Sequence, residues 1–259
     1  MKIGIMQGRL SEPVNGHMQE FPENWETEFT IMKEQGFVGA EWLLTKNCFL
    51  NNPLFTNTEK VAQCAITSIC FDVLVDERIA EEEFLKDNLI LLCETLMNTD
   101  SIRNITIPLL EESSMVDDEK RNQFCQIIEP IGKQFSEINF SFEAELHYEK
   151  LYEIIKLCEN FYVTYDTGNM TSCRFNHTEY INFFGSKINN VHLKDRTFQA
   201  QTVAPLTGNT DFSTIFTTLH NIGYRGPYIL QTARNITGQE VETMLKHKHL
   251  FEQLYEQSI

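Results

Sequence analysis

Phe161-Tyr162-Val163-Thr164-Tyr165-Asp166-Thr167-Gly168-Asn169 is a run of bulky, strand-favouring residues that ends on a carboxylate and a small polar turn. The same design recurs downstream in Asn190-Val191-His192-Leu193-Lys194, which leads into Asp195-Arg196. It recurs again in Tyr228-Ile229-Leu230-Gln231-Thr232, which leads into Ala233-Arg234. Upstream, Asn139-Phe140-Ser141-Phe142-Glu143 closes in the same way. Each stretch delivers one metal-capable side chain at a strand end: Glu143, Asp166, His192 and Gln231. Oxygen and imidazole ligands supplied one per strand suit a divalent cation at the mouth of a parallel barrel.

Outward from these stretches, apolar runs alternate with segments of helical periodicity. The expected strands are Lys2–Gln7, Gly39–Leu44, Thr67–Val73, Asn104–Pro108, Asn139–Glu143, Tyr162–Asp166, Asn190–Lys194 and Tyr228–Thr232. The expected helices include Asn24–Gln35, Glu81–Met97, Asp118–Phe135, Tyr148–Glu159, Phe212–Ile222 and Gly238–Gln257, with Asp117 and Asp211 as N-caps. Continuously apolar strands separated by single helices pair in parallel. Eight such units in 259 residues predict a single closed (β/α)₈ TIM barrel, one domain over residues 1–259. An open doubly wound sheet would carry a Gly-rich phosphate turn after its first strand, and Gly4 and Gly8 lack that spacing.

No linker, low-complexity tract or long charge run divides the sequence, and 42% hydrophobic content is ample for a large core. A net charge of −16 argues against non-specific nucleic-acid binding, which needs a dense Lys/Arg surface. The seven cysteines are scattered without a C-x-x-C pair and read as reduced thiols in a cytoplasm. Met1-Lys2-Ile3-Gly4-Ile5 reads as a strand rather than an export signal, and no apolar run is long enough to span a bilayer.

In such a barrel, chemistry sits at the C-terminal strand ends. Polar residues there are Gln7, Arg9, Glu41, Asp72, Glu143, Glu145, Asp166, Asn169, His192, Lys194, Asp195, Arg196, Gln231 and Arg234. Glu145 competes with Glu143 for the same role. Asp166 before Thr-Gly-Asn also fits ordinary turn chemistry. A lone histidine inside a strand is more often a core residue than a ligand, but His192 has carboxylates on other strand ends. His17 could enter the site from the loop after the first strand. Arg9, Lys194, Arg196 and Arg234 put cations around the mouth of an acidic protein, either as ion-pair partners of Asp195 or Glu41 or as receptors for an anionic substrate. Trp42 and Phe71 fit core packing better than a substrate wall.

Several of these segments carry a family resemblance. Gly4-Ile5-Met6-Gln7-Gly8-Arg9-Leu10, Phe21-Pro22 and Gly39-Ala40-Glu41-Trp42 are joined by Asp166-Thr167-Gly168-Asn169, His192-Leu193-Lys194-Asp195-Arg196 and Leu230-Gln231-Thr232-Ala233-Arg234. In this order they resemble the sugar-phosphate isomerase/epimerase branch of the xylose-isomerase-like barrels. The resemblance implies one divalent metal held by a Glu, an Asp, a His and a second Glu, with a small sugar or sugar phosphate chelating it. The two glutamates would move protons on opposite faces of the substrate. Carried over, the ligands are Glu143, Asp166, His192 and Gln231; from their places at the strand ends, Gln7, Arg9, Glu41, Asp72, Asn169, Lys194, Arg196 and Arg234 are the expected substrate-binding residues. Mn²⁺, Zn²⁺, Co²⁺ and Mg²⁺ all suit such a donor set.

Gln231 departs from that pattern. An amide oxygen can bind a hard cation but carries no charge and takes up no proton at neutral pH. Epimerisation ordinarily needs groups on both faces, whereas aldose–ketose isomerisation through an enediol can use one base. The expected activity is therefore a sugar isomerase, or an epimerase, working through a metal-stabilised enediolate with Glu143 as base. The alternative is a catalytically impaired barrel that binds an acidic sugar. A cyclic-polyol dehydratase would use the same enolate chemistry. An abasic-site endonuclease of this fold would need several metals and many histidines. No membrane or nucleic-acid partner is expected, and a helix-mediated homodimer stays open.

Overall fold

The structure is a computed structural model and describes residues 1–14, 20–76, 82–99, 101–234 and 238–259. His17, and Glu81 at the start of one expected helix, lie outside the described residues. Strands β1 (Ile3–Met6), β2 (Ala40–Leu43), β3 (Ile66–Cys70), β4 (Asn104–Leu109), β5 (Asn139–Ala144), β6 (Phe161–Asp166), β7 (Ile188–Leu193) and, after a hairpin of β8 (Asp195–Arg196) and β9 (Thr202–Val203), β10 (Tyr228–Leu230) follow in chain order. The barrel is closed, in the order β1-β10-β7-β6-β5-β4-β3-β2. First and last barrel strands pair in parallel, with Ile3 opposite Tyr228 and Ile5 opposite Leu230. This is the (β/α)₈ barrel expected from the sequence.

Packing divides the chain into two units, Met1–Glu41 with Thr164–Ile259, and Trp42–Val163. In the first, β10 lies between β1 and β7, with Ile229 opposite both Gly4 and His192. Its sheet is covered by the helices Phe212–Asn221 and Glu240–Ser258. Phe212 and Phe251 meet edge-on at 4.9 Å, and Phe216 packs against Tyr228. Asp211 caps its helix as expected, accepting a bond from the Thr214 amide at 3.1 Å.

In the second unit β4 and β5 pair over six residues, from Asn104 opposite Asn139 to Leu109 opposite Ala144. The helix Asp118–Gln134 covers them, capped by Asp117 through the Lys120 amide. Its C-terminal carbonyls are not left bare: the Asn160 amide donates to Gly132 and Phe135. Phe124, Phe140, Phe142 and Phe161 form a ladder of edge-on ring contacts. Trp42 and Phe71 are core residues. The Trp42 indole donates to Asn52, whose side chain also caps the short helix Pro53–Thr56, and Phe71 packs on Phe49.

Differences from the sequence expectations are local. Strand β3 stops at Cys70 because the chain turns into a short helix, Val73–Asp76, beginning with the Leu74 amide bonded to the Phe71 carbonyl. The helix from Tyr148 ends at Ile155 rather than Glu159. A short helix, Thr167–Ser172, follows β6 directly. No described helix is long and apolar enough to cross a membrane.

Gly132 marks where the covering helix meets the sheet most closely. A Cβ there would fall 2.3 Å from the Phe161 ring. Alanine would favour the helix by about 1 kcal/mol, but overpacking costs about 1–3 kcal/mol and the ring is fully buried. Gly132→Ala is expected to destabilise the protein, seen as a lower urea midpoint with an unchanged slope; a higher midpoint would mean that Phe161 yields.

Candidate active site

Alternation along β7 decides which side chains enter the barrel. Asn190 and His192 lie two residues apart on one face, and Lys194 continues the series just past the strand end. All three are buried. A charged or polar series inside a barrel needs partners, and β2 supplies one. Glu41 is wholly buried, and its Oε2 lies 2.6 Å from His192 Nε2. The Asn190 amide donates to both Glu41 oxygens at 3.3 Å. His192 Nδ1 is turned the other way, 3.9 Å from Asp166 Oδ2.

Asp166 divides its two oxygens between structure and site. Oδ1 accepts the Asn169 amide at 2.7 Å, capping the helix Thr167–Ser172. Oδ2 forms an ion pair with Lys194 Nζ at 2.9 Å. Burial pushes the Asp166 carboxyl up. The Lys194 ammonium outweighs it together with His192, Arg196 and the Asn169 amide, and holds the group below its ordinary value. The helix is latched to the strand end by Thr167, whose hydroxyl donates to the Lys194 carbonyl at 2.7 Å and accepts from the Lys194 amide at 3.0 Å. At Gly168 a Cβ would stand 3.1 Å from both the Lys194 and Arg196 side chains, so a residue without one suits this contact.

Neighbouring loops are held by carboxylates as well. Asp195 accepts the amides of Gly208 and Thr210, folding the segment after the β8–β9 hairpin back onto the strand end. Glu28, on the helix Trp25–Glu34, accepts the Gly8 amide at 2.9 Å, the Leu10 amide at 3.0 Å and the Ser11 hydroxyl at 2.9 Å. Arg234 grips the same loop by donating to the carbonyls of Gly8 and Ser11. Burial raises the Glu28 carboxyl despite these bonds and lowers the Arg234 guanidinium.

Glu143, next to last in β5, is buried, whereas Glu145 is exposed. Ligand-capable atoms of Glu143, Asp166 and His192 lie within 4.8 Å of one another. Two carboxylates and an imidazole are a suitable donor set for a divalent cation. Gln231 is buried just past β10, its backbone N–H donating to the Leu193 carbonyl at 3.1 Å. Gln7 and Arg9 are buried after β1, and Asn169 lies in the helix capped by Asp166. Arg196 is half-buried in the hairpin, and Asp72 is half-buried in the turn after β3. Asn190 and Glu28 were not singled out from the sequence. Asn190 could have been found from its two-residue spacing to His192. Glu28 sits on an amphipathic helix and gave no comparable signal.

Asp166's helix also rests on His177, whose ring contacts the hydroxyls of Tyr165 and Thr171. Burial holds His177 down to about 4, so it is neutral in the fold. The unfolded chain takes up a proton near pH 6.5, the fold only near 4. This contribution is therefore complete above about pH 6.5 and is lost as pH falls through that window, on the order of 3 kcal/mol in all. His177→Gln is expected to flatten stability between pH 6.5 and 4; an unaltered slope in denaturation series would contradict this account.

Comparison with solved structures finds the same fold at low identity. An L-ribulose 3-epimerase matches with a TM-score of 0.75 and 14% identity, covering 99% of this chain and 95% of its own. The IOLI protein with a bound zinc atom matches with a TM-score of 0.72 and 16% identity, covering 98% and 99%. A D-allulose 3-epimerase from Methylomonas sp., in complex with D-allulose, matches with a TM-score of 0.71 and 14% identity, covering 98% and 97%. No curated protein matches by sequence. Residues 117–250, just over half of the chain, match the family described as xylose isomerase-like TIM barrel. The chain belongs to that family.

Proposed function

We propose that the protein is a divalent-metal-dependent isomerase, or epimerase, of a small sugar or sugar phosphate. The observation that carries this reading is the convergence of Glu143, Asp166 and His192, with ligand-capable atoms within 4.8 Å. These residues would hold the cation, with Gln231 offering an amide oxygen as fourth donor. When bound, the cation supplies positive charge to the developing enediolate oxygens. Glu143 removes the proton from the carbon beside the substrate carbonyl and returns it to the neighbouring carbon. Gln231 takes up no proton, so transfer on one face, as in aldose–ketose isomerisation, is the chemistry the residues favour.

Arg9, Lys194 and Arg196 are assigned to a phosphate or acid group of the substrate, with Gln7, Asn169 and Asp72 as hydrogen-bonding partners. The epimerases among the structural neighbours support a ketose as substrate class. The thiol-rich composition fits a cytoplasmic enzyme.

The test begins with elemental analysis. The unaltered protein is expected to hold about one equivalent of metal, lost in Glu143→Ala and His192→Ala. Ketoses and ketose phosphates incubated in D₂O should then gain deuterium beside the carbonyl and yield aldoses. Gln231→Glu should add C3 epimerisation. No metal uptake after adding Mn²⁺ or Zn²⁺ would favour a non-catalytic sugar-binding barrel. Robust C3 epimerisation by the unaltered protein would overturn the one-base reading.

A further inference from the structure

We infer that Glu41 is a positioning residue that fixes the tautomer and ring orientation of His192, so that Nδ1 is the nitrogen offered to the cation. The inference rests on the metal reading above and assigns Glu41 a role other than the substrate contact expected from sequence.

Two hydrogen-bond patterns compete at His192 Nε2. In one, Nε2–H donates to Glu41 Oε2, 2.6 Å away. In the other, Nε2 accepts from the Asn190 amide, 3.3 Å away. The distances decide between them. A 2.6 Å contact between a bare ring nitrogen and a carboxylate oxygen would oppose two lone pairs, whereas a 3.3 Å contact between two donors is tolerable. Asn190 has better acceptors, because it donates to both Glu41 oxygens. Glu41 therefore accepts from both neighbours, and the ring hydrogen sits on Nε2.

The nitrogen then left to meet a cation is Nδ1, on the side of the ring facing Asp166 Oδ2 at 3.9 Å. A ligating histidine commonly donates its second N–H to a carboxylate or carbonyl, which locks the ring and makes the ligating nitrogen a stronger donor. Glu41 meets that need without competing for the cation. Its place on β2, with Met6 opposite Glu41 in the β1–β2 register, sets it on rigid sheet rather than on a loop.

Two-bond ¹H–¹⁵N correlation spectra of metal-free, histidine-labelled protein test the tautomer. The His192 signals are assigned by their loss in His192→Ala. The unaltered protein is expected to show the Nε2–H form; in Glu41→Gln an amide N–H can donate to Nε2, so the selection is lost. Zn²⁺ affinity, measured by chelator competition, should fall by about 10–100-fold in Glu41→Gln. An Nδ1–H tautomer in the unaltered protein, or unchanged tautomer and affinity in a folded Glu41→Gln, would overturn the inference. The spectrum of the unaltered protein decides even where Glu41→Gln does not fold. Failure of the unaltered protein to bind Zn²⁺ while His192 keeps Nε2–H would overturn the metal reading instead.

Discussion

Charge taken out of water must be balanced where it lies, and that requirement shapes the interior of this barrel. Glu41 and His192 are 0% exposed, Asp166 is 1% and Lys194 is 7%. They form one hydrogen-bonded pair, Glu41 with His192, and one ion pair, Asp166 with Lys194. Buried ion pairs are poor stabilisers, since desolvation offsets most of their attraction and apolar residues of similar size often do as well. Removing one partner alone is costly, at about 3–5 kcal/mol. A barrel seeking only stability would have filled these positions with Val, Ile and Leu, as β10 does with Ile229 and Leu230. The charges are better explained by what they can hold or move than by what they add to the fold.

The backbone around them is held by carboxylates acting as amide acceptors. Asp166 caps a helix, Asp195 gathers two amides of the following loop, and Glu28 gathers two amides of the loop after β1. Such bonds fix the direction of a side chain more tightly than packing alone, and a site that must align a ligand atom within a fraction of an ångström needs that support. Asp166 shows the economy of the device. One oxygen is committed to the Asn169 amide, so the other has little freedom in where it points.

Much of this was legible in the sequence because strands impose a period of two. His192 follows Asn190 by that period, and Val191 between them belongs to the opposite face. Glu143 and Glu145 share the same spacing, and sequence could not separate them. Burial does, because the chain leaves the strand at Ala144 and Glu145 turns outward. The sequence offers Arg234 as an ion-pair partner or anion receptor and Asp195 as an ion-pair partner; the structure shows both also binding backbone. Their partners are carbonyls and amides of loops whose paths no local pattern encodes. Glu28 failed to register for the same reason: nothing in an amphipathic helix reveals that one acidic side chain will meet a loop eighteen to twenty residues away.

Gln231 takes on a different meaning beside these neighbours. On the proposed reading, Glu143, Asp166 and Glu41 bring three negative charges to the surroundings of the cation, and Lys194 returns one positive charge through its contact with Asp166. Arg196, half-buried in the hairpin, adds a second positive charge near Asp166. A glutamate at position 231, where the side chain is buried, would add a fourth carboxylate. On that reading Glu41 strengthens the donor character of His192 through Nε2, and a neutral amide as fourth donor spares the site a further buried charge. What it removes is the second base, and so the loss falls on the range of proton transfers rather than on the capacity to hold the ion.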